Sequence, residues 1–193
     1  MIETTAAFLS VALFDGDALI AADHRNIARG HAEQLVPAIA ALPGGGKADA
    51  IWVGCGPGSF TGTRVGIAAA RALAFAWGAE LSGYDSLALV AAQAARLSGA
   101  NDVAVAVTGG HGQWLVAETP IAWRALDPAE AARAITCDLV AGERANELVA
   151  LRGFGVAISA EADAREALLI PPQGRFAEAV PLYARPPDAQ PAP

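Results

Sequence analysis

Basic residues are scarce in this chain. Thirteen Lys and Arg stand against 20 Asp and Glu in 193 residues, a formal net charge of −7 with the histidines neutral. Affinity for a polyanion draws largely on lysines and arginines that neutralise phosphates, so this balance excludes an autonomous grip on nucleic acid. Cysteine is scarcer still: Cys55 and Cys137 are the two present, without metal-ligand spacing and with three histidines in the whole chain. That argues against a disulfide framework or a structural zinc and fits a reduced, cytoplasmic setting. Long apolar runs are missing as well. The longest, Val65 to Ala79, is broken by Arg71, and no basic segment followed by an apolar one opens the chain, so the sequence predicts a cytoplasmic protein without a membrane role. What the chain has is apolar bulk: 54% hydrophobic residues with 17% charged ones make it globular, with one core or two small subdomains sharing an interface.

Phe8 to Phe14 and Ala18 to Asp23 read as strands around the hairpin signal Asp15-Gly16-Asp17, with Ile2 to Thr5 as a stub of strand before them. His31 to Leu42 carries Leu35, Val36, Ile39 and Leu42 at helical spacing, bent by Pro37 and ended by Pro43-Gly44-Gly45-Gly46. A strand at Ala50 to Val53, a helix at Thr63 to Trp77, a short strand near Leu81 and a helix from Asp85 to Leu97 follow. Hairpin strands succeeded by alternating helices and strands predict a mixed sheet with helices on its faces, as in ribonuclease H-like units. Ser98-Gly99-Ala100-Asn101 marks a boundary, giving a first lobe over 1–98 and a reduced second lobe over 99–185. In that second lobe Val103 to Thr108 and Trp114 to Ala117 read as strands. Asp127 to Ile135 and Glu161 to Leu169 are helix-like, and Asp138 to Ala141 and Gly155 to Ser159 are short strands. Residues 186–193 form a Pro-rich tail expected to be disordered.

Between the strand at Ala50 and the helix after it lies Gly56-Pro57-Gly58-Ser59-Phe60-Thr61-Gly62, three glycines within seven residues. A strand-to-helix turn of this kind can aim amides at an anion or at another chain segment. Its spacing fits neither a Walker loop, which needs Gly-Lys-Ser/Thr after four residues, nor a dinucleotide fingerprint. Ser59 lacks the flanking glycines of a nucleophile elbow.

The extended string GPGSFTGTRVGIAAARALA resembles the signature of the bacterial TsaB family, once called YeaZ, whose members read close to GPGSFTGLRIG. IETT at Ile2 to Thr5, SVAL at Ser10 to Leu13, HAEQLVP at His31 to Pro37 and PLYARPPDA at Pro181 to Ala189 are similar to that family's other segments, in the same order. The likeness is dense over Ile2 to Leu89, sparse from Val103 to Glu178, and returns at the end. Glu3 stands where the family has Asp, and Thr63 where it has Leu. Two or three residues that the family has before the position of Glu3 are missing, so either a short first strand or a misassigned start codon is expected.

This resemblance implies an α/β, actin-like (ASKHA, ribonuclease H-like) two-lobe fold with mixed sheets flanked by helices and a reduced second lobe. It also implies a non-catalytic scaffold in the machinery that places threonylcarbamoyl on N6 of the adenosine beside the anticodon of ANN-reading tRNAs. The implied partners are TsaD, the catalytic paralogue, and the ATPase TsaE. Any tRNA contact is made only through the complex. No cofactor is expected in this chain, with ATP and a metal on partner subunits. The alternatives are a degenerate kinase-like or glycoprotease-like enzyme, or a homodimer without a catalytic partner.

The helix after the loop is apolar or small almost all round. At about 100° per residue, Gly66, Ala69, Leu73 and Trp77 share one side and Arg64, Ala68, Arg71, Ala72 and Phe75 the other. Such a helix is either sandwiched within the fold or docked on a partner. The resemblance implies that the first two helices form the subunit interface, so Arg64, Ala68, Arg71, Ala72, Phe75, Leu35 and Ile39 are the expected partner-binding residues. Glu3-Thr4-Thr5 and Thr108-Gly109-Gly110-His111-Gly112 stand where actin-like ATPases hold phosphates, but neither hairpin offers a pair of carboxylates for Mg²⁺. His31 is expected to cap or pack, and His24 to lie on the surface. No catalytic set emerges.

Overall fold

The computed structural model describes residues 1–118 and 122–184. Among these residues eleven strands alternate with five α-helices. In chain order these are β1 (Ile2–Glu3), β2 (Phe8–Asp15), β3 (Ala18–Asn26), α1 (His31–Ala40), β4 (Ala50–Gly54), α2 (Phe60–Trp77), β5 (Glu80–Tyr84) and α3 (Ser86–Ser98). They continue as β6 (Ala104–Thr108), β7 (Trp114–Glu118), β8 (Ala122–Leu126), α4 (Pro128–Ala134), β9 (Leu139–Ala141), α5 (Ala145–Arg152), β10 (Val156–Ile158) and β11 (Arg175–Phe176). Short 3₁₀ helices occupy Pro43–Gly46, Ala164–Leu169 and Pro172–Gly174.

Two mixed sheets share one plan. In the first the order is β11-β5-β4-β1-β2-β3, in the second β10-β9-β6-β7-β8. Each begins with a three-strand antiparallel meander, β1-β2-β3 or β6-β7-β8, and then adds parallel strands to the meander's first strand. Parallel neighbours need a crossover, and α1, α2, α4 and α5 supply it. Two ribonuclease H-like units with this repeated topology make an actin-like fold.

The core divides into three layers. Ile2, Val11, Leu35, Ile39, Ile51, Val53, Ile67 and Ala70 pack α1 and α2 on the outer face of the first sheet. Leu87, Val90 and Ala94 of α3 meet Val105, Leu115 and Ala141 of the second sheet, so α3 lies between the sheets. Val116, Ala131, Val140 and Leu148 hold α4 and α5 on the second sheet's far face. Helix termini follow their local chemistry: Asp85 accepts from the amides of Leu87 and Ala88 at the start of α3, and Gly78 and Gly99 close α2 and α3 with φ 69° and 71°.

Several elements differ from the sequence expectation. The stretch Glu161 to Leu169, expected as a helix, is a 3₁₀ segment confined to Ala164–Leu169. Strand β8 and helix α5 were not anticipated, because β8 carries Arg124 among apolar residues and α5 has no clear apolar stripe. After the 3₁₀ turn at Pro172, Arg175 and Phe176 pair with Tyr84 and Gly83 at the edge of the first sheet. The tail at 186–193 lies outside the described residues.

Candidate functional site

Strand β4 delivers the chain to the glycine-rich loop, and what the loop touches is the protein's own β1–β2 turn. The Ser59 amide donates to the Thr5 carbonyl at 2.6 Å, and the Thr4 hydroxyl donates to the Gly62 carbonyl at 2.8 Å. A Cβ on Gly58 or Gly62 would collide with the carbonyls of Thr5 or Thr4, and one on Gly66 would meet the Thr4 hydroxyl. Close backbone approach therefore requires those glycines, while the left-handed conformation falls on Gly56 at φ 94°. Ser59 caps α2, accepting from the Gly62 amide at 3.2 Å, and Thr63 donates its hydroxyl to the Ser59 carbonyl at 2.8 Å. The signature is thus a clasp between α2 and the first hairpin, with Gly56 to Gly62 all within it.

Beneath the clasp Glu3 is fully buried. Its carboxylate accepts from the Thr5 amide at 2.6 Å and from the Ser86 hydroxyl at 2.8 Å, and Gly54 leaves it room by lacking a Cβ. Burial raises its pKa above the usual carboxylate range, against the pull of these hydrogen bonds. Asp85 beside it is pushed up to about 6, chiefly by burial, with the charge of Glu3 adding to the effect. Both carboxylates face inward as structural groups. Among the described residues no three His, Cys, Asp or Glu side chains converge as metal ligands would.

A cleft of about 1450 Å³ opens between the two sheets. Thr5, the loop from Pro57 to Val65, the start of α1 at His31, and the β6–β7 hairpin from Thr108 to Gly110 line it, with Ala160–Ala162 as part of its wall. The two hairpins noted in the sequence therefore do face one cavity. Thr108 lends its amide to Glu143 at 2.6 Å and its hydroxyl oxygen to Arg144 at 3.0 Å. His31 sends Nε2 to the Phe8 carbonyl at 3.1 Å, a packing role. His24, expected on the surface, is instead stacked on Phe8 with ring centroids 4.8 Å apart.

The face of α2 turned away from the sheet is the second candidate surface. Gly62, Thr63, Gly66, Ile67, Ala70 and Ala74 form its buried stripe. Arg64, Ala68, Arg71, Ala72 and Phe75 are all exposed, Phe75 at 93%. The helix is therefore not sandwiched within this chain. Two of these residues already have internal partners. The Arg64 guanidinium sits 3.5 Å from the Phe60 ring centroid and donates to the Tyr183 hydroxyl at 2.9 Å, and Arg71 donates to the Ala179 carbonyl at 2.8 Å. Both clamp the C-terminal segment along one border of the face. Leu35 and Ile39 correct the expectation. They are 0% and 5% exposed and belong to the core under α1, so neither can meet a partner, and Val36 at 51% is the apolar residue that α1 presents outward. Helical spacing groups Leu35, Val36 and Ile39 as apolar but does not say which direction the sheet lies.

No helix among the described residues is long and apolar enough to cross a membrane. The family model for TsaD, tRNA N6-adenosine threonylcarbamoyltransferase, matches residues 25–167. A crystal structure of an uncharacterized Pseudomonas aeruginosa protein with similarity to peptidase YeaZ superposes with a TM-score of 0.78 at 28% identity, covering 95% of this chain and 97% of that one. YeaZ from Pseudomonas aeruginosa gives 0.74 at 25% identity over 94% and 97%. An uncharacterized protein of Mycobacterium tuberculosis is 45% identical over 71 residues, 34% of this chain and 34% of its own length. An uncharacterized protein of Mycobacterium leprae is 41% identical over 91 residues, 44% of this chain and 25% of its own length. The chain thus spans about a quarter to a third of the length of these curated relatives. With the glycine clasp, the duplicated sheets and these matches together, the chain belongs to the TsaD family, on its YeaZ (TsaB) side.

Proposed function

We propose that the chain is a non-catalytic scaffold subunit for threonylcarbamoyl transfer to N6 of the adenosine beside the anticodon in ANN-reading tRNAs, and that it acts by docking the catalytic paralogue TsaD on the outer face of α2. The observation that carries this reading is Phe75, a large apolar ring 93% exposed beside the exposed small residues Ala68 and Ala72. A free Phe flanked by alanines suits a second helix, because small side chains let helix axes approach closely while the ring supplies the buried area. The partner is a paralogue of the same fold, TsaE joins the assembled pair, and ATP and a metal reside on those subunits. Contact with tRNA is made by the complex, in keeping with the net charge of −7 here.

Size-exclusion chromatography of the purified chain mixed with TsaD tests this. The wild type should co-elute with TsaD and Phe75→Asp should not. Failure of the wild type to co-elute, with self-association through the same face, would establish the homodimer instead. Isothermal titration with ATP and Mg²⁺ addresses the kinase-like alternative, and tight binding by the chain alone would favour it.

A further inference from the structure

We propose that Arg64 and Arg71 make the outer face of α2 a two-point receptor for an acidic helix of a partner chain, and that the same two charges turn a second copy of this chain away. The inference rests on the docking role proposed for this face and specifies the chemistry of what docks there. At about 100° per residue, Phe60, Arg64, Ala68, Arg71 and Phe75 fall within about 80° of arc and form one stripe along the helix. All five are exposed. Read along the stripe, the order is aromatic, arginine, alanine, arginine, aromatic, close to a palindrome about Ala68. The two arginines stand two turns apart, about 10.5 Å along the axis.

Both side chains are fixed before any partner arrives. Arg64 Nε donates to the Tyr183 hydroxyl at 2.9 Å, with its guanidinium carbon 3.5 Å from the Phe60 ring centroid. Arg71 Nη2 donates to the Ala179 carbonyl at 2.8 Å. The hydroxyl, the ring and the carbonyl are all uncharged. Elsewhere on the surface Arg25, Arg96 and Arg144 meet carboxylates of the chain itself, Asp23, Glu166 and Glu147. Among the described residues no carboxylate pairs with Arg64 or Arg71. The 18 residues of α2 include no acid, and neither does the C-terminal segment from Ala179 to Ala184 that runs beside it. A guanidinium has five N–H donors, so each arginine keeps most of its donors and all of its charge for a group outside the chain. A carboxylate matches that fork, and holding the side chains in place beforehand removes part of the ordering cost of binding.

Pairing of two copies runs against the same charges. Ala68 is the small residue of the stripe, where a second helix approaches most closely. Two antiparallel copies of α2 crossing there set Arg64 of one beside Arg71 of the other, and parallel copies set each arginine on its own counterpart. Either direction gathers four guanidinium groups with no acid on α2 between them, and like charges brought together across an interface suppress that pairing. RNA would feel the two positive charges as well, but the chain as a whole carries −7 and repels it. The face therefore selects a protein partner whose own helix carries carboxylates about two turns apart.

Surface plasmon resonance of the full chain with purified TsaD at about 50 and about 300 mM NaCl reads the pairing, with sedimentation velocity of the chain alone alongside. The wild-type association rate should fall about tenfold between the two salt concentrations. In Arg64→Gln/Arg71→Gln, which keeps donors at both positions but no charge, the low-salt rate should drop severalfold and its salt dependence should flatten, with an unchanged thermal midpoint. Arg64→Glu should weaken docking further and, by setting a carboxylate opposite Arg71 of a second copy, raise self-association above that of a monomeric wild type. A rate indifferent to salt and to the double substitution, in a chain whose docking Phe75→Asp abolishes, would overturn this proposal and leave the docking face standing. Normal docking by Phe75→Asp would remove both. A wild-type dimer dissolved by Phe75→Asp and weakened by Arg64→Glu would show that copies pair across the arginines, and tRNA held by the free chain but not by the double variant would assign them to nucleic acid. Either result overturns the proposal.

Discussion

The carbonyl oxygen of Thr4 lies where a side chain at Gly62 would have to begin. The first turn of α2 is therefore laid directly on the β1–β2 turn, backbone on backbone, and the Thr4 hydroxyl completes the contact through the Gly62 carbonyl. Gly62→Ala forces the two apart. Overpacking of this kind costs about 1–3 kcal/mol, and thermal or urea melts should show the loss without any change in a catalytic group. Gly110→Ala is the milder control, since nothing lies within 4 Å of its added Cβ and its φ is not in the left-handed region. An unchanged midpoint in Gly62→Ala would refute the clasp.

The two sides of α2 make opposite predictions. Ala72→Glu places a charge on the exposed side and should leave the melting curve of the free chain within about 0.5 kcal/mol of wild type, while abolishing co-elution with TsaD. Ala70→Glu buries an unpaired carboxylate at a position with 0% exposure and should unfold the chain or lower its midpoint sharply. Ala69, assigned by periodicity to the inward side, is half-buried, and Ala69→Glu should fall between the two. Normal assembly by Ala72→Glu would remove the face from consideration.

Asp85 gives stability a pH dependence of a definite sign. Its folded pKa of about 6 exceeds the ordinary 3.8, so the native state holds a proton that the unfolded state releases. Its contribution is greatest below 3.8 and declines as pH rises through about 6. Asp85→Asn can still accept from the Leu87 and Ala88 amides but cannot ionise. The stability of the variant relative to wild type should thus increase across that interval and level off above it, as measured by urea melts in a pH series. A constant difference would mean that Asp85 is not held protonated.

Charge makes the remaining prediction. At −7, with Arg64, Arg71, Arg152, Arg165 and Arg175 all engaged in internal contacts, the free chain should not shift tRNA in a mobility assay at physiological salt. Saturable binding by the chain alone would contradict the indirect role proposed for it.

Local chemistry made much of this protein legible before its fold was known. The Asp15-Gly16-Asp17 turn, the Asp85 cap and the glycine string before α2 each act over a few residues and stand where expected, and the alternation of strands and helices through α3 appears with bounds within about three residues of those expected. The exposed side of α2 was readable too, because 3.6-residue periodicity orders side chains around a helix whatever surrounds it.

Contacts between distant residues were not. Leu35 and Ile39 have the same chemistry as exposed Val36, and only the position of the sheet beneath α1 decides which of them is core. Nothing in the string around Glu3 says that its carboxylate will meet Ser86, or that Gly62 is a glycine because Thr4 lies against it rather than because its φ is positive. His24 and Asp163, 3.6 Å apart in the fold, are separated by most of the chain, and no periodicity links them. By itself the sequence determined most of its elements, its turns and its kinship. Which side chains are buried, which carboxylates are silent and which residues span the two lobes were decided by tertiary packing, since burial and charge pairing depend on neighbours that the order of residues along the chain does not name.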